Sequence, residues 1–287
     1  MRQENTKLAI TFSLCAALTY AILAYLIKTA EHFLPNTVLI FFRQLFGLMI
    51  LLPLIPMKLG SFKALKTSVF SLYLLRAFSS LAAMFCLFFA LRYLPLTDAV
   101  LLSYTRPLFI PIIVYFWFQS KWTKSTWIGL IMGFIGVLLI LQPGKGIFNA
   151  ASFIGLAAGL FGAIAFTTIR RLTRTEPSEK ITFYYLALSL PMAAVPLAGS
   201  WETPTAKGWL FLVVIGCIAT LYQLLLSRAY RHAKAVKVGS LLYSSVAFAY
   251  LIDIFLGNKI IPIGAILGMV LIVIGSILSL REQKEPR

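Results

Sequence analysis

The chain has 287 residues, of which 60% are hydrophobic and 12% charged, and its mean hydropathy is +0.90. Soluble proteins carry about 25% charged residues, so a water-soluble fold is excluded: it would have to bury nearly every helix on every face. The net charge of +17 is spread over short loops, which argues against a nucleic-acid partner and for charge that sets membrane topology.

A helix needs roughly 20 apolar residues to cross a hydrocarbon core about 30 Å thick. Taken in chain order, the cores of such runs are Ser13–Ile27, Val38–Leu52, Leu81–Leu91, Leu108–Phe118, Ile128–Leu141, Phe153–Ile169, Phe183–Leu197, Leu210–Leu226, Val238–Phe255 and Ile263–Leu280. The first is long enough to span and no clear cleavage site follows it, so it reads as a helix and not as a signal peptide. All ten are continuously apolar, without the alternation of barrel strands. The fold class is therefore an all-α membrane protein, in which each helix pairs its own backbone groups. With a cytoplasmic N-terminus, the loops on that side carry about 18 Lys and Arg against 5 opposite, and three more arginines lie within spans. This bias places both termini in the cytoplasm. Cys15, Cys86 and Cys217 sit in apolar runs at unrelated spacings and form no disulfide or metal pattern.

The chain also repeats. Ala90–Leu141 aligns without gaps on Ala229–Leu280, pairing Arg92 with Arg231, Tyr104 with Tyr243, Gly129 with Gly268 and Gly136 with Gly275. Leu14, Ala16 and Leu18 pair with Leu156, Ala158 and Leu160 in a register shifted by about three residues. The division falls into 1–145 and 146–287. Five spans per repeat is an odd number, so the second repeat must enter the membrane inverted. Inverted repeats mark secondary transporters, with a site near the midplane between the halves.

These residues carry a resemblance. Ala90-Leu-Arg-Tyr-Leu-Pro-Leu-Thr-Asp-Ala-Val100, Pro107 and Trp127-Ile-Gly-Leu-Ile-Met-Gly-Phe-Ile-Gly-Val137 resemble the third-to-fourth helix join, the fourth-helix proline and the fifth helix of the drug/metabolite transporter superfamily, EamA-type branch. The resemblance covers nearly the whole chain. It implies a ten-helix inner-membrane carrier of small metabolites. Family members often close the fourth and ninth helices with Leu-Gly-Glu. Here the corresponding stretches read Phe118-Gln119-Ser120-Lys121 and Leu256-Gly257-Asn258-Lys259, without the acid.

Enzyme motifs are absent: there is no Gly-rich phosphate loop, no Gly-x-Ser-x-Gly and no His-Glu-x-x-His, and His32 and His232 fall far apart in expected loops. No catalytic residue, cofactor or metal site is expected, and no room exists for a nucleotide-hydrolysing domain. The chemistry resides in ionisable residues within spans, which are costly and face an interior or a wet cavity. These are Arg43, Arg76, Arg106 and Asp253. Arg106 lies roughly 13 Å along its helix at about 1.5 Å per residue, near mid-membrane, and is expected to hold an anionic group of the substrate by a two-pronged contact. Arg43 is a second substrate-binding candidate. Asp253 is a candidate for proton coupling or for an ion pair with Arg43 or Arg106. Arg76 is near enough to a surface to reach headgroups. Tyr104 and Tyr243, equivalent in the two repeats, are expected to face one cavity, with Tyr20, Tyr25, Phe166, Phe248 and Tyr250 as further walls. Pro107 and Pro111 are expected to kink the helix beside Arg106 and free carbonyls there. The strings Gly155-x-x-x-Gly159-x-x-Gly162 and Gly264-x-x-x-Gly268 allow close helix approach, within one chain or between two.

The expected function is secondary transport of a small polar metabolite with an anionic group, amino-acid-like or S-adenosylmethionine-like, by alternating access. A broad drug or metabolite exporter is the alternative within the class, and a channel or a lipid scramblase the alternative outside it. Membrane lipids are the other expected partner; nothing in the sequence fixes oligomeric state or direction.

Overall fold

The computed structural model describes residues 5–119, 123–144, 151–199, 201, 203–257 and 262–280. The sequence features at Ser120, Lys121, Asn258 and Lys259 lie outside the described residues. The helices are α1 (Thr6–Ala30), α2 (Asn36–Leu59), α3 (Phe70–Leu91), α4 (Leu96–Ser103), α5 (Arg106–Phe118), α6 (Lys124–Leu141), α7 (Ala151–Leu172), α8 (Ser178–Leu197), α9 (Ala206–His232), α10 (Ala235–Leu241), α11 (Ser244–Gly257) and α12 (Ile263–Leu280). Helices α4 with α5, and α10 with α11, each make one span, so the described residues hold ten helical spans apolar enough to cross a membrane. Local chemistry sets the ends. The side chains of Asn5, Thr123 and Thr205 accept from backbone N–H groups in the first turns of α1, α6 and α9. Gly60, at φ 77°, ends α2 in the left-handed region that glycine enters without cost.

The packing scheme maps onto itself when the halves are exchanged. Helix α3 packs on α7 as α9 packs on α1, and α2 on α9 as α8 on α3. Both pieces of the α4–α5 span lie on α7, and both pieces of the α10–α11 span lie on α1. The equivalent helices α6 and α12 pack directly on each other. A Cβ on Gly129 would lie 2.5 Å from the Gly275 carbonyl oxygen, and one on Gly136 would lie 2.5 Å from that of Gly268. The earlier glycine of α6 thus meets the later glycine of α12, and the reverse. The two helices are antiparallel, as the odd number of spans per repeat requires.

The fourth and ninth spans are broken at matching places. Helix α4 stops at Ser103 and α5 starts at Arg106; α10 stops at Leu241 and α11 starts at Ser244. The expected proline kink is instead a clean interruption, with Pro107 in the first turn of the new helix, where its missing N–H costs nothing. The second break has no proline at all, so proline is not its general cause. Nor are the freed carbonyls left open. Ser103 donates to Val100 O (2.7 Å), Thr105 to Leu102 O (2.6 Å), Ser244 to Leu241 O (2.6 Å) and Ser245 to Leu242 O (2.7 Å). Hydroxyls at both breaks satisfy the backbone where lipid cannot.

Candidate functional site

The break between α4 and α5 faces a small cavity lined by Tyr20, Tyr104, Arg106, Pro107, Phe166, Tyr222, Leu242 and Ser245. The lining comes from α1, α5, α7, α9 and α11 and from both breaks, so both halves build it. Close approach of α7 is what shapes it. Gly155 sits against the Leu102 side chain, Gly159 against Thr105 and the Leu102 carbonyl, and Gly162 opposite the Arg106 side chain. The Gly155–Gly162 string therefore serves packing within the chain. The cavity measures about 20 Å³, room for a water or two. In this conformation the surrounding helices must separate before a metabolite fits.

Arg106 is the charge in this cavity. Its Nε donates to the Ser103 carbonyl (3.0 Å), and Nη2 lies 3.5 Å from Ser103 Oγ. The Tyr20 side chain lines the same cavity. The guanidinium is flanked by the rings of Tyr104 (5.3 Å) and Phe166 (5.4 Å). Tyr104 in turn shares a 3.0 Å hydrogen bond with Ser245, which ties the two breaks together. Among the described residues no carboxylate pairs with Arg106. A guanidinium has five N–H donors, and the two Ser103 contacts leave part of the fork for an incoming acceptor.

The other sequence candidates are distributed differently from expectation. Tyr20, Tyr104 and Phe166 line the cavity, whereas Tyr243 does not. It is fully buried, with its ring against Gly133 of α6, because the break in the ninth span turns Leu242 and Ser245 inward instead. Phe248 and Tyr250 pack against the large core cluster and do not reach the cavity, and Tyr25 is likewise absent from its lining. Arg43 also lies off the cavity. Its Nη2 is 3.5 Å from the Tyr185 hydroxyl and 3.8 Å from Met84 Sδ. Asp253 pairs with neither arginine. It meets Lys28 at 3.3 Å, and both side chains are substantially exposed, at 41% and 57%. The pair sits near the C-terminal ends of α11 and α1, which puts Asp253 a helical turn from its helix end and away from the cavity.

Arg76 is the clearest correction. It does not reach a surface: it is 1% exposed, held by Gln223 Oε1 (2.9 Å) and the Ile181 carbonyl (3.4 Å), with Tyr185 4.8 Å away under its charge. Sequence reasoning also missed Tyr222 and Gln223. The signal was there: a Tyr-Gln pair in the middle of the apolar run Leu210–Leu226, matched by Gln44 inside α2, is out of place in lipid.

With the geometry in hand, the class is defined: a multi-pass helical membrane protein whose polar site lies between two halves at paired helix breaks, the architecture of a transporter. The chain matches the EamA-like transporter family over residues 7–142 and again over 149–281, and it belongs to that family. Among its relatives are the pseudopaline exporter of Pseudomonas aeruginosa (27% identical over 281 residues, 97% of this chain and 98% of that one) and a riboflavin transporter of Brucella anthropi (31% over 210 residues, 71% and 73%). An S-adenosylmethionine uptake transporter of Rickettsia bellii is 24% identical over 245 residues (85% and 84%). A solved crystal structure shares the fold with a TM-score of 0.83 at 18% identity, covering 95% of this chain and 97% of that one. The chain is a transporter of the drug/metabolite superfamily and not an enzyme.

The position of Asp253 gives an expected result. An exposed ion pair contributes about 0–1 kcal/mol, and this one touches no cavity residue. Asp253→Asn is expected to leave substrate binding and exchange in proteoliposomes within twofold of wild type. The same variant assayed under an imposed pH gradient examines coupling: unchanged accumulation removes Asp253 from any proton-linked step.

Proposed function

We propose that this protein carries a small polar metabolite with an anionic group across the inner membrane by alternating access, with Arg106 as the anchor for that group. The observation that supports it is a guanidinium inside a cavity between the two halves with no carboxylate paired to it among the described residues. A charge near mid-membrane costs at least about 2.5–3.5 kcal/mol on insertion scales, and such a charge persists where function requires it. The aromatic lining, Tyr20, Tyr104, Phe166 and Tyr222, suits the planar or apolar remainder of the solute. The three relatives named above carry different solutes, and both an exporter and an uptake transporter are among them. Their names therefore favour a small molecule without choosing one, and S-adenosylmethionine and amino-acid derivatives stay in the proposal as examples. Rocking of one half against the other would open the contracted cavity to either side in turn.

The deciding experiment is a counterflow screen. Purified protein in liposomes, preloaded with unlabelled compound, is offered labelled amino acids, S-adenosylmethionine, riboflavin and nucleosides. Saturable, trans-stimulated uptake of at least one carboxylate-bearing compound is the expected result. Non-saturating flux would indicate a channel, and movement of labelled lipid without any solute would indicate a scramblase.

Topology has its own test. In a background without Cys15, Cys86 and Cys217, Thr175→Cys lies between α7 and α8, and Thr203→Cys lies between α8 and α9. An impermeant thiol reagent added to intact cells is expected to label the second and spare the first. Labelling of the first in sealed cells would overturn cytoplasmic termini with ten spans.

A further inference from the structure

We infer that the substrate carries two anionic groups, and that the second is held at a station formed by Arg76, Gln223 and Tyr185, next to the Arg106 cavity. The inference rests on the reading of Arg106 as the first anchor. Helix α9 joins the two places: Tyr222 lines the cavity, and the next residue, Gln223, accepts from Arg76. Tyr185 extends the line, with its ring against Arg76 and its hydroxyl accepting from Gln44 (3.2 Å) and facing Arg43 (3.5 Å). Arg106, Arg76 and Arg43 thus follow one another through the protein interior, connected by tyrosines and glutamines. Among the described residues none of the three has an acidic partner; the carboxylates form their pairs elsewhere, with Lys28, Lys180 and Arg228.

Arg76 does not have the environment of a structural arginine. A buried guanidinium kept for packing has its donors satisfied and its charge neutralised. Here Nε is buried and has no hydrogen-bond partner, one Nη contact is long at 3.4 Å, and among the described residues the groups facing the charge are neutral: the Gln223 amide, the Ile181 carbonyl and the Tyr185 ring. Two unneutralised guanidinium groups beside one cavity repel each other in a medium of low dielectric. A solute with a single carboxylate would leave one of them uncompensated, whereas a solute with two would compensate both. Arg43, half-buried and set further along, completes the positive path along which a dianion would leave or enter.

The probes are dicarboxylates from succinate to pimelate and the monocarboxylates of equal chain length, at constant ionic strength, with binding to nanodisc-embedded protein read from the shift in its unfolding temperature. In wild type, at least one dicarboxylate is expected to bind tenfold or more tightly than its monocarboxylate. Arg76→Gln and Arg76→Lys are expected to erase that preference while leaving monocarboxylate binding. Gln223→Leu, which keeps the charge but removes the acceptor that orients it, is expected to weaken the preference and stands in if Arg76→Gln does not fold. A preference that survives in the Arg76 variants overturns the second station. So does an equal loss for mono- and dicarboxylates, which is the signature of a purely structural arginine. If Arg106→Gln keeps all binding, the anchor reading fails; if it loses all binding while the Arg76 variants keep the preference, only this inference fails. Absence of any carboxylate binding in wild type counts against both.

Discussion

Arg106→Met is expected to abolish binding and transport of the anionic substrate, and Arg106→Lys to weaken affinity at least tenfold, about 1.4 kcal/mol, with both proteins inserted and folded. The geometry separates the two variants. Arg106 uses Nε on the Ser103 carbonyl, which orients the fork, and its charge lies over the rings of Tyr104 and Phe166. Lysine keeps the charge but has no planar fork, no Nε to hold it to the break, and a weaker fit between two rings. Methionine keeps the stem and removes the charge from a cavity that has no other cation in its lining. Folding is expected to survive in both, because no ion pair is broken and the Ser103 hydroxyl already bonds the backbone. Direct binding of the compound found in the counterflow screen measures the effect. Wild-type affinity in both variants would assign Arg106 to architecture and place the substrate's charge elsewhere.

Gly136→Val is expected to prevent recovery of folded protein, and Gly136→Ala to lower the unfolding temperature measurably. The reason is backbone, not side chain. A Cβ on Gly136 would come within 2.5 Å of the Gly268 carbonyl and 3.0 Å of the Ile272 amide nitrogen. Overpacking a core typically costs 1–3 kcal/mol when side chains can move. Here the opposing atoms belong to a helix backbone, so α12 as a whole must retreat. The symmetric contact at Gly129 and Gly275 would be strained with it, because one rigid pair of helices carries both. Gly264→Ala is the control. Its Cβ would meet Gln142 Nε2 at 3.5 Å and the Leu139 carbonyl oxygen at 3.8 Å, both ordinary contacts, and alanine is the better helix former by about 1 kcal/mol. Equal thermal stability of Gly136→Ala and Gly264→Ala in detergent would refute the close α6–α12 seam.

Particular residues show how far the sequence could be read. Tyr104 and Tyr243 were paired by repeat register, and both do lie at a helix break. Yet only Tyr104 lines the cavity, since a break re-aims the following residues and register does not say by how much. Arg76 was assigned to a headgroup by counting residues from the helix end. Counting residues gives a position along the axis but no rotation about it, and the side chain points inward at Gln223. Asp253, an acid within a span, reads from the sequence as a coupling group or as the partner of Arg43 or Arg106; Lys28, near the end of another helix, is the residue that meets it.

What the amino-acid sequence determined by itself was the class, the ten helical spans and the duplication. Each of these follows from quantities summed along the chain: twenty apolar residues cover a bilayer wherever they occur, and equivalent glycines recur whenever a packing surface is duplicated. What only the tertiary structure decided was which side chains meet. In water, a polar face tells a helix which way to turn. In lipid, these spans are apolar over most of their surface, and the few polar residues of α3 and α9, such as Arg76 and Gln223, do not say by themselves which neighbour they meet. That orientation is set by close contacts between backbones, such as Gly159 on Leu102 and Gly129 on Gly275, and by hydrogen bonds such as Arg76 to Gln223. All of them join residues from different helices, and they exist only once the helices have packed.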